Sequence, residues 1–168
     1  MSLSMYQASL PVFTQMLTNL SAILKKADAY AASKKIDPSV LLQSRLFPDM
    51  FPLTRQVQIA SDMAKGGAAR LAGIEMPSFP DNEASFADLQ ARIEKTLAFI
   101  KGIGRDQIDG TEERDIELKV GGREMKFKGQ PYLVNFVLPN LYFHITTAYG
   151  ILRHNGVELG KGDFLGAA

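Results

Sequence analysis

The sequence predicts an all-α fold, a four-helix bundle that carries one β-hairpin, and three observations support this prediction. Apolar residues recur at helical spacing in four long segments, which begin near residues 4, 53, 85 and 139. Strict alternation of polar and apolar residues is clear only between residues 115 and 128. With 168 residues, of which 46% are hydrophobic, the chain can bury one core, so we expect a single domain over residues 1–168.

The first long helix is predicted over residues 4–33, and a short helix follows it. Pro11 lies inside the helical pattern, so either the first turns are kinked or the regular helix begins near Leu10 with Pro11 in its first turn. Asp37 precedes a proline, which is the pattern of an N-cap followed by proline at the first helical position. This pattern predicts a short helix over residues 38–44.

The second long helix is predicted over residues 53–72 and carries a stripe of small residues. Gly73 supplies its C-terminal stop. Gly66 and Gly67 lie inside it, and each costs about 1 kcal/mol of helix stability relative to alanine. Their presence indicates a close neighbour, so we expect tight packing there, with a cavity as the alternative.

A helix and a hairpin are predicted in the next part of the chain. Ser85 and Asp88 form a capping-box pattern before the third long helix, which should end at Gly102. Two alternating segments, 115–120 and 123–128, are joined by two glycines and should pair as a hairpin. An isolated hairpin is marginal in water, so its apolar face should be covered by the helices.

The last long helix carries both histidines of the protein. Residues 132–138 are apolar but short, and are ambiguous between one or two helical turns and an extended segment. The helix itself is predicted over residues 139–155, with a kink or a fresh start at its proline, and contains His144 and His154. Residues 157–168 form a glycine-rich tail with an apolar anchor.

Composition excludes several classes of function. The formal charge is +1, so there is no basic surplus of the kind that binds nucleic acid. There is no cysteine, which excludes disulfides, thiolate nucleophiles and cysteine-based zinc sites. The chain has neither a signal-like N-terminus nor an uninterrupted apolar segment of about 18 residues, so we expect a cytoplasmic protein without a membrane span.

Motifs spread over nearly the whole chain carry a family resemblance. They are Asp49-Met50-Phe51-Pro52, Asp62-x-Ala64-Lys65, Arg70-Leu71-Ala72-Gly73, Pro139-Asn140-x-Tyr142-Phe143-His144, Leu152-Arg153-His154-Asn155-Gly156 and Gly160-Lys161-x-Asp163-Phe164-Leu165-Gly166. With this order of elements, the sequence resembles the DinB/YfiT-like superfamily, and within it an uncharacterised domain-of-unknown-function branch. The resemblance implies a DinB-like up-and-down four-helix bundle, with a short extra helix and a hairpin between the third and fourth long helices.

The resemblance also bears on metal binding, because DinB-like proteins are often described as metalloenzymes. Many of them place one histidine on the second long helix and a His-x-x-x-His pair on the fourth. Here His144 matches the first histidine of the pair, Ala148 stands at the second position, and the second helix has no histidine. The three-histidine site is therefore absent. We expect no cofactor, with a divalent transition metal on His144 as the alternative.

The two histidines cannot share one ion on a regular helix. They are ten residues apart, which corresponds to about 15 Å of rise and about 80° of rotation. His144 should point into the bundle. There it could bind a metal, be satisfied by a hydrogen bond with Asp62, Gln56 or Gln58, or have a ligand-contact or acid-base role.

These observations predict a candidate pocket and a structural role for the end of the last helix. The pocket is expected to contain His144, Asn140, Thr147 and Tyr149 from the fourth long helix, and Gln56 and Asp62 from the second. His154 is expected to cap the C-terminus of the helix, where the negative end of the helix dipole favours a positive charge. Arg153 is expected to hold the tail through Asp163.

Three functions follow, and the sequence does not decide whether the protein is an enzyme. The leading hypothesis is a bundle protein that binds a small molecule against its last helix. The first alternative is a degenerate metal-dependent hydrolase or transferase of the DinB type. The second is a non-catalytic structural or interaction protein that forms a homodimer.

Overall fold

The computed structural model describes residues 3–166 and confirms the all-α class. Four long helices surround one hydrophobic core, and a single hairpin lies between the third and the fourth of them. The elements, in chain order, are α1 Leu10–Lys34, α2 Pro38–Leu42, α3 Leu53–Ala72, α4 Phe86–Lys101, α5 Arg105–Ile108, β1 Asp115–Val120, β2 Arg123–Lys128, α6 Gly129–Tyr132, a π-helix Leu133–Val137, α7 Leu138–His154 and α8 Lys161–Leu165.

The helix boundaries follow the capping signals in the sequence. α1 begins at Leu10 with Pro11 in its first turn, which is one of the two predicted alternatives. The Asp37 side chain accepts a hydrogen bond from the Ser39 N–H at the start of α2. Ser85 and Asp88 form the reciprocal capping box of α4. Each of these caps satisfies backbone N–H groups that have no partner within the helix.

Helix α3 packs against both α4 and α7, and its small residues allow the close approach. A Cβ atom placed on Gly67 would lie 2.7 Å from Val137 Cγ1 and 3.2 Å from the Phe13 ring. Both of these neighbouring side chains are fully buried. The predicted tight packing is therefore confirmed, and the cavity alternative is wrong at this position.

A cluster of ion pairs ties the proline-rich connection between α3 and α4 to both helices. Arg92 of α4 is buried, and its guanidinium contacts Glu83 at 2.8 Å, Asp81 at 2.9 Å and Asp62 at 3.0 Å. Buried Lys65 of α3 approaches the same Asp62 oxygen at 3.0 Å. These contacts stabilise one conformation of a segment whose prolines prevent regular structure.

The hairpin has the predicted register and is covered at its base. Strands β1 and β2 pair antiparallel, with Ile116 opposite Phe127. Ile116 is buried, and the Phe127 ring lies 5.8 Å from the ring of Tyr132 and 5.4 Å from that of Phe136. The tip is less covered, since Val120 is 43% exposed. The hairpin is therefore anchored at the end nearest the helices.

The ambiguous segment before the last helix is helical. Residues 129–154 run as α6, the π-helix and α7 without a break. Pro139 has no N–H to donate, and the widened π turn before it lets the helix continue. The Asn140 side chain donates to the Phe136 carbonyl at 2.7 Å, which satisfies an acceptor in this turn. The alternative of an extended segment is wrong.

The tail folds back onto α1 as the short helix α8. Asn19 donates to the Phe164 carbonyl at 2.9 Å, and Gln15 donates to the Leu165 carbonyl at 3.0 Å. Lys26 forms an ion pair with Asp163 at 2.7 Å. The predicted apolar anchor is therefore accompanied by polar contacts that all come from one face of α1.

Within residues 3–166 no helix is both long and apolar enough to cross a membrane. The single-domain assignment for residues 1–168 remains a prediction, and it includes Met1, Ser2, Ala167 and Ala168, which lie outside the described residues.

Candidate functional site

His144 and Gln56 meet at the contact between α7 and α3. The Nδ1 atom of His144 lies 2.7 Å from Oε1 of Gln56. Gln56 is 1% exposed and His144 is 9% exposed, so the contact is largely shielded from water. Of the three hydrogen-bond partners that the sequence left open for His144, the structure selects Gln56.

The other half of the Gln56 amide fixes the tautomer of the histidine. Gln56 Nε2 donates to the Phe51 carbonyl at 3.0 Å, so its Oε1 must be the atom that faces His144. An amide oxygen can only accept, which makes Nδ1–H of the imidazole the donor. In the neutral ring the proton is then on Nδ1, and Nε2 carries a free lone pair.

The environment keeps this imidazole neutral. Burial lowers the pKa of His144 below its ordinary value, and the positive charge of Arg55 lowers it further. Neutral imidazole is the form that accepts a hydrogen bond, removes a proton or binds a cation through its free nitrogen. At neutral pH the site therefore presents a basic nitrogen.

The other ring nitrogen is not used by the protein. Within residues 3–166 the hydrogen bond of the His144 ring is the one between Nδ1 and Gln56, and Nε2 has no partner. His144 as a whole is 9% exposed, so a buried side chain keeps one unpaired acceptor.

An exposed aromatic side chain packs against the histidine. The Phe143 ring lies edge-on to His144 with 5.2 Å between the ring centroids, and Phe143 itself is 56% exposed. Phe51, whose carbonyl holds Gln56, is 53% exposed, and the Arg55 guanidinium lies 5.9 Å from its ring centroid. Apolar surface and a cation therefore belong to the residues around the His144–Gln56 pair.

The other predicted α7 residues are engaged locally. Thr147 is buried and its hydroxyl donates to the Phe143 carbonyl at 2.7 Å. Asn140 makes the bond to Phe136 described above, and Tyr149 is half-buried against the core. Asn140 and Thr147 lie four residues before and three residues after His144, so they share its face of the helix. Tyr149 is five residues on and lies to one side.

Asp62 faces a different neighbour from Gln56. It follows Gln56 by six residues, which corresponds to about 240° of rotation on an ideal helix. Its carboxylate contacts Arg92 and Lys65 in the α3–α4 cluster. The structure therefore brings His144 and Gln56 together at the α3–α7 contact and places Asp62 at the contact between α3 and α4.

The predicted partner of Asp163 is corrected by the structure. Its carboxylate is held by Lys26 of α1 and by the Gly160 N–H, and these hydrogen bonds lower its pKa. Arg153 is exposed in the last turn of α7 and forms no ion pair with any residue of the described chain. His154 also lies in that last turn, and its role at the helix end stays a prediction. The tail folds onto α1, so α1 supplies the cation.

The donor set at His144 does not fit the superfamily's three-histidine metal site. Only one imidazole is present, and the position of the second helical histidine is filled by buried Ala148. Gln56 occupies the facing position on α3, but its oxygen is used by His144. Within residues 3–166 there is also no group of three or more histidine and acidic side chains arranged to hold a metal ion.

Several residues that build this region were not singled out from the sequence. Phe51 and Phe143 occur in the family-like motifs, yet a single aromatic residue in a helical or turn segment is more often part of a core. Arg55 lies next to Gln56, and a charged residue on a helix is usually a solvated surface group. Their role becomes visible only when the loop before α3 is placed beside α7.

Comparison with known proteins agrees with the fold. The family model described as Domain of unknown function (DUF1993) matches residues 5–165. The crystal structure of a DinB family member protein from Shewanella denitrificans is 45% identical in sequence, with a TM-score of 0.87. That match covers 97% of this chain and 92% of the other. No curated protein matches the chain. The predicted DinB-like bundle and its uncharacterised branch are confirmed.

Proposed function

The chain belongs to the DUF1993 family, whose description gives no activity, and we propose that it binds a small molecule against its last long helix at His144. The observation that carries this proposal is the orientation of the imidazole. Gln56 holds Nδ1–H from inside the bundle, while Nε2 keeps a free lone pair without a partner among residues 3–166. A ligand with a hydrogen-bond donor would satisfy this acceptor.

The surroundings indicate the chemistry of the ligand. Nε2 of the neutral ring accepts a hydrogen bond, so the ligand should carry an O–H or N–H donor. Phe143, which packs against the imidazole, offers exposed ring surface, and Phe51 before α3 offers more, so the rest of the ligand should be apolar or aromatic. Phenols and aromatic amines combine both properties.

The proposal extends to Asn140 and Thr147, which share the His144 face of α7. Both now donate to backbone carbonyls one turn away. The Thr147 hydroxyl oxygen and the Asn140 amide oxygen retain acceptor capacity, so each could accept from a ligand without losing its present bond. Tyr149 and Asp62 lie further from the imidazole, and we assign them no contact with this ligand.

Fluorine NMR with 4-fluorophenol tests the proposal. We expect saturable binding to the wild-type protein and to His154→Asn, which removes the exposed histidine as a matched control. We expect His144→Asn to weaken binding about tenfold, because a hydrogen bond to the ring nitrogen is lost. Fluorobenzene, which has no donor, should bind more weakly than the phenol. Equal binding of the phenol by wild type and His144→Asn would overturn the proposal.

A further inference from the structure

A second region of the molecule, far from His144 along α3, holds three cations, Lys65, Arg70 and Lys119, beside a cleft. The cleft has a volume of about 440 Å³ and lies between the hairpin tip, the connection after α3, and α3 itself. This volume falls within the range of about 300–1,000 Å³ that is usual for small-molecule sites. Residues from all three segments line it: Lys65, Arg70, Met76, Phe79, Leu118 and Val120.

Lys65 is an ammonium group with unused donors. It is 2% exposed, approaches one Asp62 oxygen at 3.0 Å, and lies 4.0 Å from the centroid of the Phe79 ring. An ammonium has three N–H donors. No second acceptor for Lys65 is found within residues 3–166. A buried charge that is only partly paired is costly unless something else satisfies it.

Arg70 supplies a second cation. Its guanidinium lies along α3 over Gly66, where a Cβ atom would come within 2.4 Å of the Arg70 terminal nitrogen Nη1. The same nitrogen donates to the Tyr132 hydroxyl at 3.1 Å. Arg70 forms no ion pair with any described residue. Its guanidinium therefore keeps N–H donors that a ligand in the cleft could use.

The charges around the cleft sum to an excess of positive charge. Asp62 and Asp81 both line the cleft. Arg92 is shared by Asp62, Asp81 and Glu83, and Arg55 pairs with Asp81, so these two arginines outside the cleft offset two of the three negative charges. Lys65, which pairs with Asp62, offsets the third. The charges of Arg70 and Lys119 are then unbalanced, and the cleft favours an anion.

The apolar lining decides the kind of anion. Met76, Phe79, Leu118 and Val120 present apolar surface beside the cations. Arginine matches the two oxygens of a carboxylate with parallel N–H donors. Inorganic phosphate has no apolar part that could cover this surface, whereas an organic carboxylate has one. We propose that this cleft binds an organic monocarboxylate with an apolar chain, through Lys65 and Arg70.

Methionine methyl groups report binding directly. Met63 and Met76 line the cleft, whereas Met5 and Met16 are buried elsewhere in the core. In a protein labelled with ¹³C at the methionine methyls, hexanoate should shift the Met63 and Met76 signals saturably and leave Met5 and Met16 in place. Hexanol, which has the same chain without the charge, and inorganic phosphate should both bind at least about tenfold more weakly.

Two pairs of variants complete the test. Arg70→Gln should weaken hexanoate binding about tenfold, whereas Arg153→Gln, which changes an exposed arginine of α7, should not. Val120→Asp adds a negative charge at the exposed hairpin tip and should also weaken binding, whereas Val40→Asp on α2 is its matched control. If hexanoate fails to shift Met63 and Met76, or if Arg70→Gln and Val120→Asp both bind it like wild type, the proposal is wrong. Equal affinity for hexanol and hexanoate would also overturn it.

Discussion

The imidazole of His144 donates its Nδ1–H to Oε1 of Gln56 across the contact between α7 and α3, at 2.7 Å. Gln56 is itself held by the Phe51 carbonyl, so a chain of two hydrogen bonds runs from the loop before α3 to the last long helix. This chain fixes which nitrogen of His144 is protonated and which is free.

Stability should depend on pH through His144. Its folded pKa is lowered by burial and then by Arg55, so the unfolded chain binds the proton more readily than the folded one. Its contribution to the free energy of unfolding is complete above about pH 6.5 and is lost as pH falls toward the lowered folded pKa. Urea unfolding at pH 7.5 and 5.5 should show a larger loss for wild type than for His144→Asn. An identical pH dependence for wild type and His144→Asn would contradict the assignment.

Gln56→Glu should raise the pKa of His144. A carboxylate in place of the amide puts a negative charge beside Nδ1–H, and an opposite charge at hydrogen-bond distance stabilises the protonated imidazole. Gln43→Glu, an exposed change of the same charge on the residue after α2, is the control. The pKa is followed by the pH dependence of the ring proton shifts in NMR. An unchanged pKa in Gln56→Glu would mean that the two side chains are not in contact.

Arg92→Met should cost about 3–5 kcal/mol in the free energy of unfolding, because it leaves Glu83, Asp81 and Asp62 without their shared partner. Arg105→Met removes an exposed pair with Asp109 and should cost less than about 1 kcal/mol. Urea unfolding compares the two. If both variants lose the same small amount, the α3–α4 cluster contributes little to stability.

The adjacent glycines of α3 should respond differently to alanine. At Gly67 the added Cβ meets the buried Val137 and Phe13 side chains, and overpacking of this kind costs about 1–3 kcal/mol. At Gly66 the closest atom belongs to the flexible end of Arg70, which can move. Both changes gain about 1 kcal/mol in helix propensity. Thermal unfolding should therefore place Gly67→Ala below Gly66→Ala, and the reverse order would show that α3 and the π-helix are less closely packed.

The sequence was most informative where a local signal determines structure. The Asp37 cap, the Ser85–Asp88 capping box and the Gly73 stop gave helix ends that the structure confirms to within a residue or two. The strands were placed because alternation and a two-glycine turn together fix the register. Each of these features depends on residues within about one turn of one another.

Features that depend on distant contacts were missed. The four-residue helix α5, Arg105–Ile108, is too short to show a period. Pro139 suggested the start of a new helix, but the π-helix before it leads directly into α7, so the helical backbone is continuous. Lys26 was not recognised as the partner of Asp163, since 137 residues separate them in the chain.

The candidate site shows the same limit. Gln56 was one of three partners that the sequence offered to His144, and helical spacing alone could not choose among them. Asp62 follows Gln56 by six residues, so the two side chains point to different sides of an ideal helix. This could have been predicted from the sequence. The flanking Phe51 and Arg55 depend on how the loop before α3 folds, and no local pattern predicts that.

The most direct test of the central claim is a long-range ¹H–¹⁵N spectrum of His144 at pH 7.5, recorded with and without 4-fluorophenol. We predict a neutral ring with the proton on Nδ1 and an unprotonated Nε2, whose shift moves on addition of the phenol. His154→Asn simplifies the assignment by leaving a single histidine. A proton on Nε2, a charged imidazolium at this pH, or an Nε2 signal that does not respond to the phenol would contradict the account.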